Sequence, residues 1–155
     1  MTRTNNKNIK AALYQQCESF VKDRLQTIEA TISSSQKALQ SETKSSAGDK
    51  HETGRAMLQL EMEKAGQQLI TITQMKETLA KIEGAKTSKI AHLGSVVITD
   101  KVNYYLSISA GQLVLGAGNY FAISTDSPIG KLLLGKEQND SIVWNGTVIR
   151  VLEIA

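Results

Sequence analysis

The sequence predicts an α+β protein: an N-terminal antiparallel α-helical coiled coil, then a small antiparallel β-sheet domain with one short helix. Three observations predict it. Apolar residues step by 4 and 3 along two stretches of the first half, the period changes to 2 after Thr87, and only Tyr14 and Phe20 among the aromatic residues precede that change while the single proline, Pro128, follows it. The expected boundary therefore puts a helical hairpin in 1–87 and a sheet domain in 88–155.

The first stripe runs Ile9, Leu13, Cys17, Phe20, Val21, Leu25, Ile28, Ile32, Ser35 and Leu39. The second runs Leu58, Met62, Ala65, Leu69, Ile72, Lys76, Leu79 and Ile82, with Glu, Gln, Lys and Thr in most positions between. Neither stripe can be buried alone, so the two helices are expected to pack seam to seam, joined by a polar segment at about residues 41–53. In that segment Gly48 is suited to end the first helix with positive φ, and Asp49 to cap the second, with Glu52 three residues on as in a capping box. The 31 residues from Ile9 to Leu39 would span ~46 Å at the helical rise. The turn is thus expected far from the sheet domain.

After Glu83-Gly84-Ala85-Lys86-Thr87, a glycine-containing linker, Tyr104, Leu106 and Ile108 alternate with Asn103, Tyr105, Ser107 and Ser109, the pattern of a half-buried strand. Further strands are expected at 95–99, 112–115, 120–124, 141–144 and 147–154. Asn145-Gly146 joins the last two as a two-residue type I′ hairpin. One helix interrupts the strands, with Ser127 as N-cap, Pro128 at the first helical position, Ile129 to Leu134 as body and Gly135 as terminator.

Composition removes several function classes. At 155 residues, 41% hydrophobic and 21% charged, the chain is not disordered as a whole. One cysteine, Cys17, forms no internal disulfide, the first residues MTRTNNKNIK lack the apolar core of a secretory signal, and no apolar run approaches a bilayer span. A cytoplasmic protein without a membrane partner is expected. The net charge of +3 lies in the first half, where 13 basic residues face 10 acidic ones, against 5 and 5 in the second. That surplus is too small to argue for duplex binding by counterion release, and no sequence-specific DNA binding is expected.

Few residues carry chemistry. His51 and His92 lie in unrelated segments, so no Ser-His-Asp arrangement is legible, and a lone His between two acids is no metal site. Gly116-x-Gly118 lacks the rest of a phosphate loop and reads as a strand turn, and Cys17 lies on the apolar stripe as a core residue. Asp49 and Glu52 read in two ways: capping residues favoured by the helix dipole, or a pair of oxygen donors at the end of an arm, able to offer ligands to Mg²⁺ in another protein's active site but unable to hold it alone. Asp126-Ser127-Pro128 reads locally as a helix start.

The stretch ISTDSPIGKLLLGK from Ile123 to Lys136, followed by a hairpin ending VIRVLEI at Ile154, closely resembles the C-terminal domain of the bacterial Gre transcript-cleavage factors. Those factors also carry an antiparallel coiled coil with Gly-Asp-x-x-Glu at its tip, and here Gly48-Asp49-Lys50-His51-Glu52 stands at the expected tip. The likeness covers nearly the whole chain. It implies an FKBP-like domain that docks on the rim of the secondary channel of bacterial RNA polymerase through Asp126, Ser127 and Pro128. It further implies that Asp49 and Glu52 complete the polymerase Mg²⁺ site, so that the polymerase cleaves backtracked RNA while the factor itself is no enzyme and needs no cofactor of its own. Lys37, Lys44, Lys50 and Arg55 flank the tip, as weak contacts to the RNA 3′ end or as solubilising charges. A channel-binding regulator without cleavage stimulation is the alternative, since Thr53 stands where the family commonly has Asn and the tip acids are matched by bases. An FKBP-like prolyl isomerase or chaperone is a third, more distant reading.

Overall fold

The computed structural model describes the backbone of residues 3–44, 48–116 and 118–155, and the side chains of 5–41, 54–116 and 118–155. Two long helices, α1 (Arg3–Lys44) and α2 (Gly48–Glu83), precede strands β1 (Val96–Thr99), β2 (Asn103–Ser107), β3 (Gly111–Leu115) and β4 (Gly118–Ser124). Helix α3 (Pro128–Leu133) and strands β5 (Ser141–Trp144) and β6 (Thr147–Ile154) complete an α+β architecture. The chain divides into two compact units, Val21–Met75 and the remainder, Met1–Phe20 with Lys76–Ala155. This division cuts through both helices rather than following the change of period at Thr87.

In the unit Val21–Met75 the helices bury the expected stripes. Val21, Ile28 and Ser35 of α1 are buried, as are Ala65 and Ile72 of α2, while Leu25, Ile32, Leu58, Met62 and Leu69 are half-buried. Here the end of α1 meets the start of α2, with Ala38 sharing a cleft with Gly54, Leu58 and Glu61; within the other unit the Tyr14 hydroxyl donates to the Leu79 carbonyl at 3.0 Å. Lys76 corrects the expected seam. It is exposed and Met75 is half-buried in its place, so the spacing from Ile72 becomes 3, 4, 3 to Ile82. A lysine ammonium is too strongly hydrated to stay in a closed apolar seam when a neighbouring Met can fill it.

The turn also differs from expectation. Helix α1 continues to Lys44 and α2 already begins at Gly48, so Gly48 and Asp49 stand inside the second helix rather than ending the first and capping the second. Position 49 lies in the first turn, where the free backbone N–H groups favour a carboxylate without a cap. Residues 45–47 and the side chains of 42–53 lie outside the described residues.

In the other unit, six strands form one sheet in the order β3-β4-β2-β1-β6-β5. The sheet is mixed, which corrects the antiparallel expectation: β2 and β4 pair in parallel, with Asn103 opposite Tyr120 and Ser107 opposite Ser124. The cause is topological. After β2 the chain crosses to the edge, forms β3 and returns through a hairpin, which leaves β4 beside β2 and running the same way. Local turn signals report hairpins only. Asn145 and Gly146, with φ of 51° and 77°, make the expected I′ turn between the paired Trp144 and Thr147.

Helix α3 lies between β4 and β5 on one face of the sheet, and there Ile129 and Leu133 join Val97, Leu106, Ile149 and Val151 in the core. The opposite face is covered by the start of α1. Cys17 Sγ sits 3.7 Å from Ser107 Oγ, and the Gln16 side-chain amide donates to the Val114 carbonyl at 2.9 Å. Strand β2 is therefore buried on both faces, Tyr105 and Ser107 as fully as Tyr104 and Leu106, and is not the half-buried strand its alternation suggests. A polar partner on a packing helix lets a serine occupy a closed interface.

Candidate functional site

Two groups of residues are singled out by the sequence, one in each compact unit. The first is the start of α3. Ser127 is the N-cap with φ −68° and ψ 156°, and its Oγ accepts from the Gly130 amide at 3.1 Å while donating to the Ser124 carbonyl at 2.6 Å. The Asp126 amide donates to Ser124 Oγ at 3.1 Å, and the Ser127 amide to the Ser124 carbonyl, also at 3.1 Å. Pro128 fills the first helical turn, where no N–H is missed. At the far end Gly135, with φ +80°, stops the helix as expected, and its amide donates to the Ala91 carbonyl at 2.8 Å.

This network separates the three residues by what they can still do. Ser127 has both its donor and one acceptor site committed inside the loop, so it positions the others. Asp126 and Pro128 are exposed, and no hydrogen bond or ion pair engages the Asp126 carboxylate among the described residues. Beyond them Lys131 and Leu132 are exposed on α3, while Ile129 and Leu133 anchor the helix below. The result is a rigid corner presenting a carboxylate, a proline ring and an apolar side chain.

The second group belongs to the start of α2. Asp49 and Glu52 are the second and fifth residues of the helix, and positions three apart are neighbours on one helical face. Their side chains, and those of Lys44, Lys50 and His51, lie outside the described residues. Lys37 and Arg55 are exposed. Among the described residues, no group of three or more His, Cys, Asp or Glu could hold a metal ion.

Elsewhere the structure shows what sequence left unread. His92 Nε2 lies 2.9 Å from the Lys86 carbonyl, and Nδ1 lies 2.8 Å from Ser95 Oγ and 3.2 Å from the Ile90 carbonyl. Ser95 is completely buried, and the imidazole ties the linker after α2 to the loop before β1. The aromatic residues Tyr104, Tyr105, Tyr120, Phe121 and Trp144 are all buried or half-buried, with Tyr104, Phe121 and Trp144 in the core beneath α3. Burial pushes the Cys17 thiol up to about 11, partly offset by the Ser107 hydroxyl, and raises Tyr105 as well, with Cys17 and Tyr14 adding to the effect.

No protein-family model matches the chain, and no curated protein matches it. Among the described residues no helix is long and apolar enough to cross a membrane.

Proposed function

We propose that this chain is an accessory factor of bacterial RNA polymerase, acting as the Gre factors it resembles in sequence act. Its sheet domain, of FKBP-like type, docks at the secondary channel through Asp126 and Pro128, held in place by Ser127. Its helices enter the channel as an antiparallel coiled coil. Asp49 and Glu52 then add oxygen ligands to a Mg²⁺ bound mainly by the polymerase and orient the water that attacks a backtracked transcript.

One observation carries this reading: Asp49 and Glu52 open the second of two long helices, within four residues of one another at its start. Carboxylates are the ligands a hard divalent cation takes, and a second metal in a phosphoryl-transfer site stabilises charge on the attacking and leaving oxygens. Two carboxylates leave most of the coordination shell to the polymerase. The reaction is hydrolysis, in which water oxygen bonds to phosphorus as the bond to the ribose 3′ oxygen breaks.

A second reading, channel occupancy without cleavage, is favoured by the charge around the tip, where Glu42, Asp49 and Glu52 are matched by Lys44, Lys50 and Arg55. The prolyl isomerase reading loses support from Tyr104, Phe121 and Trp144, which pack in the core beneath α3 rather than line an open cleft.

The test uses backtracked complexes of the cognate polymerase with Mg²⁺ and 3′-labelled RNA. Wild-type protein should release short 3′ fragments, and Asp49→Ala/Glu52→Ala should not, while still competing for the channel. Equal release by the double variant overturns the tip assignment. Competition without release by the wild type selects the regulator reading.

A further inference from the structure

Strand β6 carries one residue more than its partner β1. Thr99 pairs with Val151 but Ile98 with Glu153, which leaves Leu152 as the extra residue of a β-bulge. Antiparallel partners share a face, so the bulge reverses the alternation of everything after it. Ile149 and Val151 enter the core beneath α3, and after the bulge it is Ile154 that packs against that core. Strict alternation would have sent Glu153 there, where an unpaired carboxylate is strongly disfavoured. The bulge turns Glu153 instead to the face covered by α1.

On that face Glu153 lines a cavity of about 110 Å³ whose other walls include Asn6 and Ile9 of α1, Val96 and Ile98 of β1, and Tyr120 of β4. The cavity surface is mainly apolar. Glu153 is half-buried, and its carboxylate accepts one hydrogen bond, from the Asn6 amide at 3.1 Å. Among the described residues no lysine, arginine or histidine pairs with it. Withdrawn carboxylates are ordinarily matched by a cation, and a single neutral amide leaves most of the acceptor capacity of Glu153 unused.

We propose that this cavity binds a short primary alkylammonium ion, with its ammonium on Glu153 and its aliphatic chain against Ile9, Val96 and Ile98. Size and polarity narrow the class. An apolar cavity of about 150 Å³ accommodates benzene, so this one takes a molecule of roughly five heavy atoms. A guanidinium on a comparable chain is too large, and a diamine would bury its second ammonium against apolar walls. The ligand therefore carries one cationic end and one hydrocarbon end.

The experiment is an NMR titration of the ¹⁵N-labelled full chain with n-butylammonium chloride at constant ionic strength, following the amides of Glu153 and Ile98 and the side-chain amide of Asn6. Saturable shifts are expected, with affinity at least tenfold weaker for n-butanol, which keeps the shape without the charge, and for Glu153→Gln, which keeps the acceptor for Asn6. Asn6→Asp, which adds a second carboxylate at the cavity, should tighten binding, and it decides the matter if Glu153→Gln fails to fold. Shifts that do not saturate, equal affinity for n-butanol, equal affinity in Glu153→Gln, or unchanged affinity in Asn6→Asp would each overturn the assignment.

Discussion

A Cβ placed on Gly130 would stand 2.1 Å from the carbonyl oxygen of Ser124, the same oxygen that takes the Ser127 hydroxyl and amide. The first turn of α3 is pressed against the end of β4 at this point, and only a residue without a side chain fits. Gly130→Ala should gain about 1 kcal/mol of helix propensity and lose ~3 kcal/mol to overpacking, so strain wins. A fall in the urea midpoint at unchanged slope would bear this out; a stabilised variant would show that the loop relaxes freely.

Ser127 and Asp126 should part company on substitution. Ser127→Ala removes the cap and should cost ~1 kcal/mol of stability, whereas Asp126→Arg, at an exposed carboxylate with no partner among the described residues, should leave the melting temperature unchanged. Under the proposed function only Asp126→Arg weakens polymerase binding while sparing stability. Paired thermal melts and polymerase-binding assays on both variants check this, and an unaltered affinity for Asp126→Arg would count against the docking corner.

The correction at Lys76 is testable in the same way. Lys76→Ala should change stability by less than ~0.5 kcal/mol, while Ile72→Ala, one turn earlier and buried, should cost about 2–4 kcal/mol. Chemical denaturation of the two variants separates a seam position from its neighbour, and a large loss from Lys76→Ala would restore it to the seam.

Cys17 should be chemically silent in the native protein. Its thiol is fully buried and its folded pKa of about 11 lies above the unfolded value of 9.0. Reaction with a thiol reagent at pH 8 should therefore follow unfolding. The linkage has a definite sign. Between pH 9 and 11 the native state binds the thiol proton that the unfolded state has released, so stability falls as pH rises through that window. Tyr105, raised by burial, adds to the alkaline loss. Urea midpoints at pH 8 to 11 should decline less in Cys17→Ala than in wild type, and parallel declines would remove Cys17 from the account.

The sequence by itself determined the elements. Two apolar stripes of period 3.5, a change to period 2, Asn145-Gly146, and Ser127-Pro128 with Gly135 each encode a conformation through contacts within a few residues, and in the structure each appears where its local chemistry puts it. The Gre resemblance, and with it the roles proposed for Asp49, Glu52 and Asp126, also comes from sequence. Tertiary structure decided the rest. That β2 runs parallel to β4, that Tyr105 and Ser107 are closed off by Cys17 and its helix, and that Met75 replaces Lys76 all depend on which distant surface covers a residue. Most telling is Glu153. Its direction follows from a single unpaired residue, Leu152, set by the register against β1, and the side chain that donates to it, Asn6, is 147 residues away. Periodicity records which face a residue would take in a regular strand, but register is fixed by long-range pairing, and no local pattern carries it.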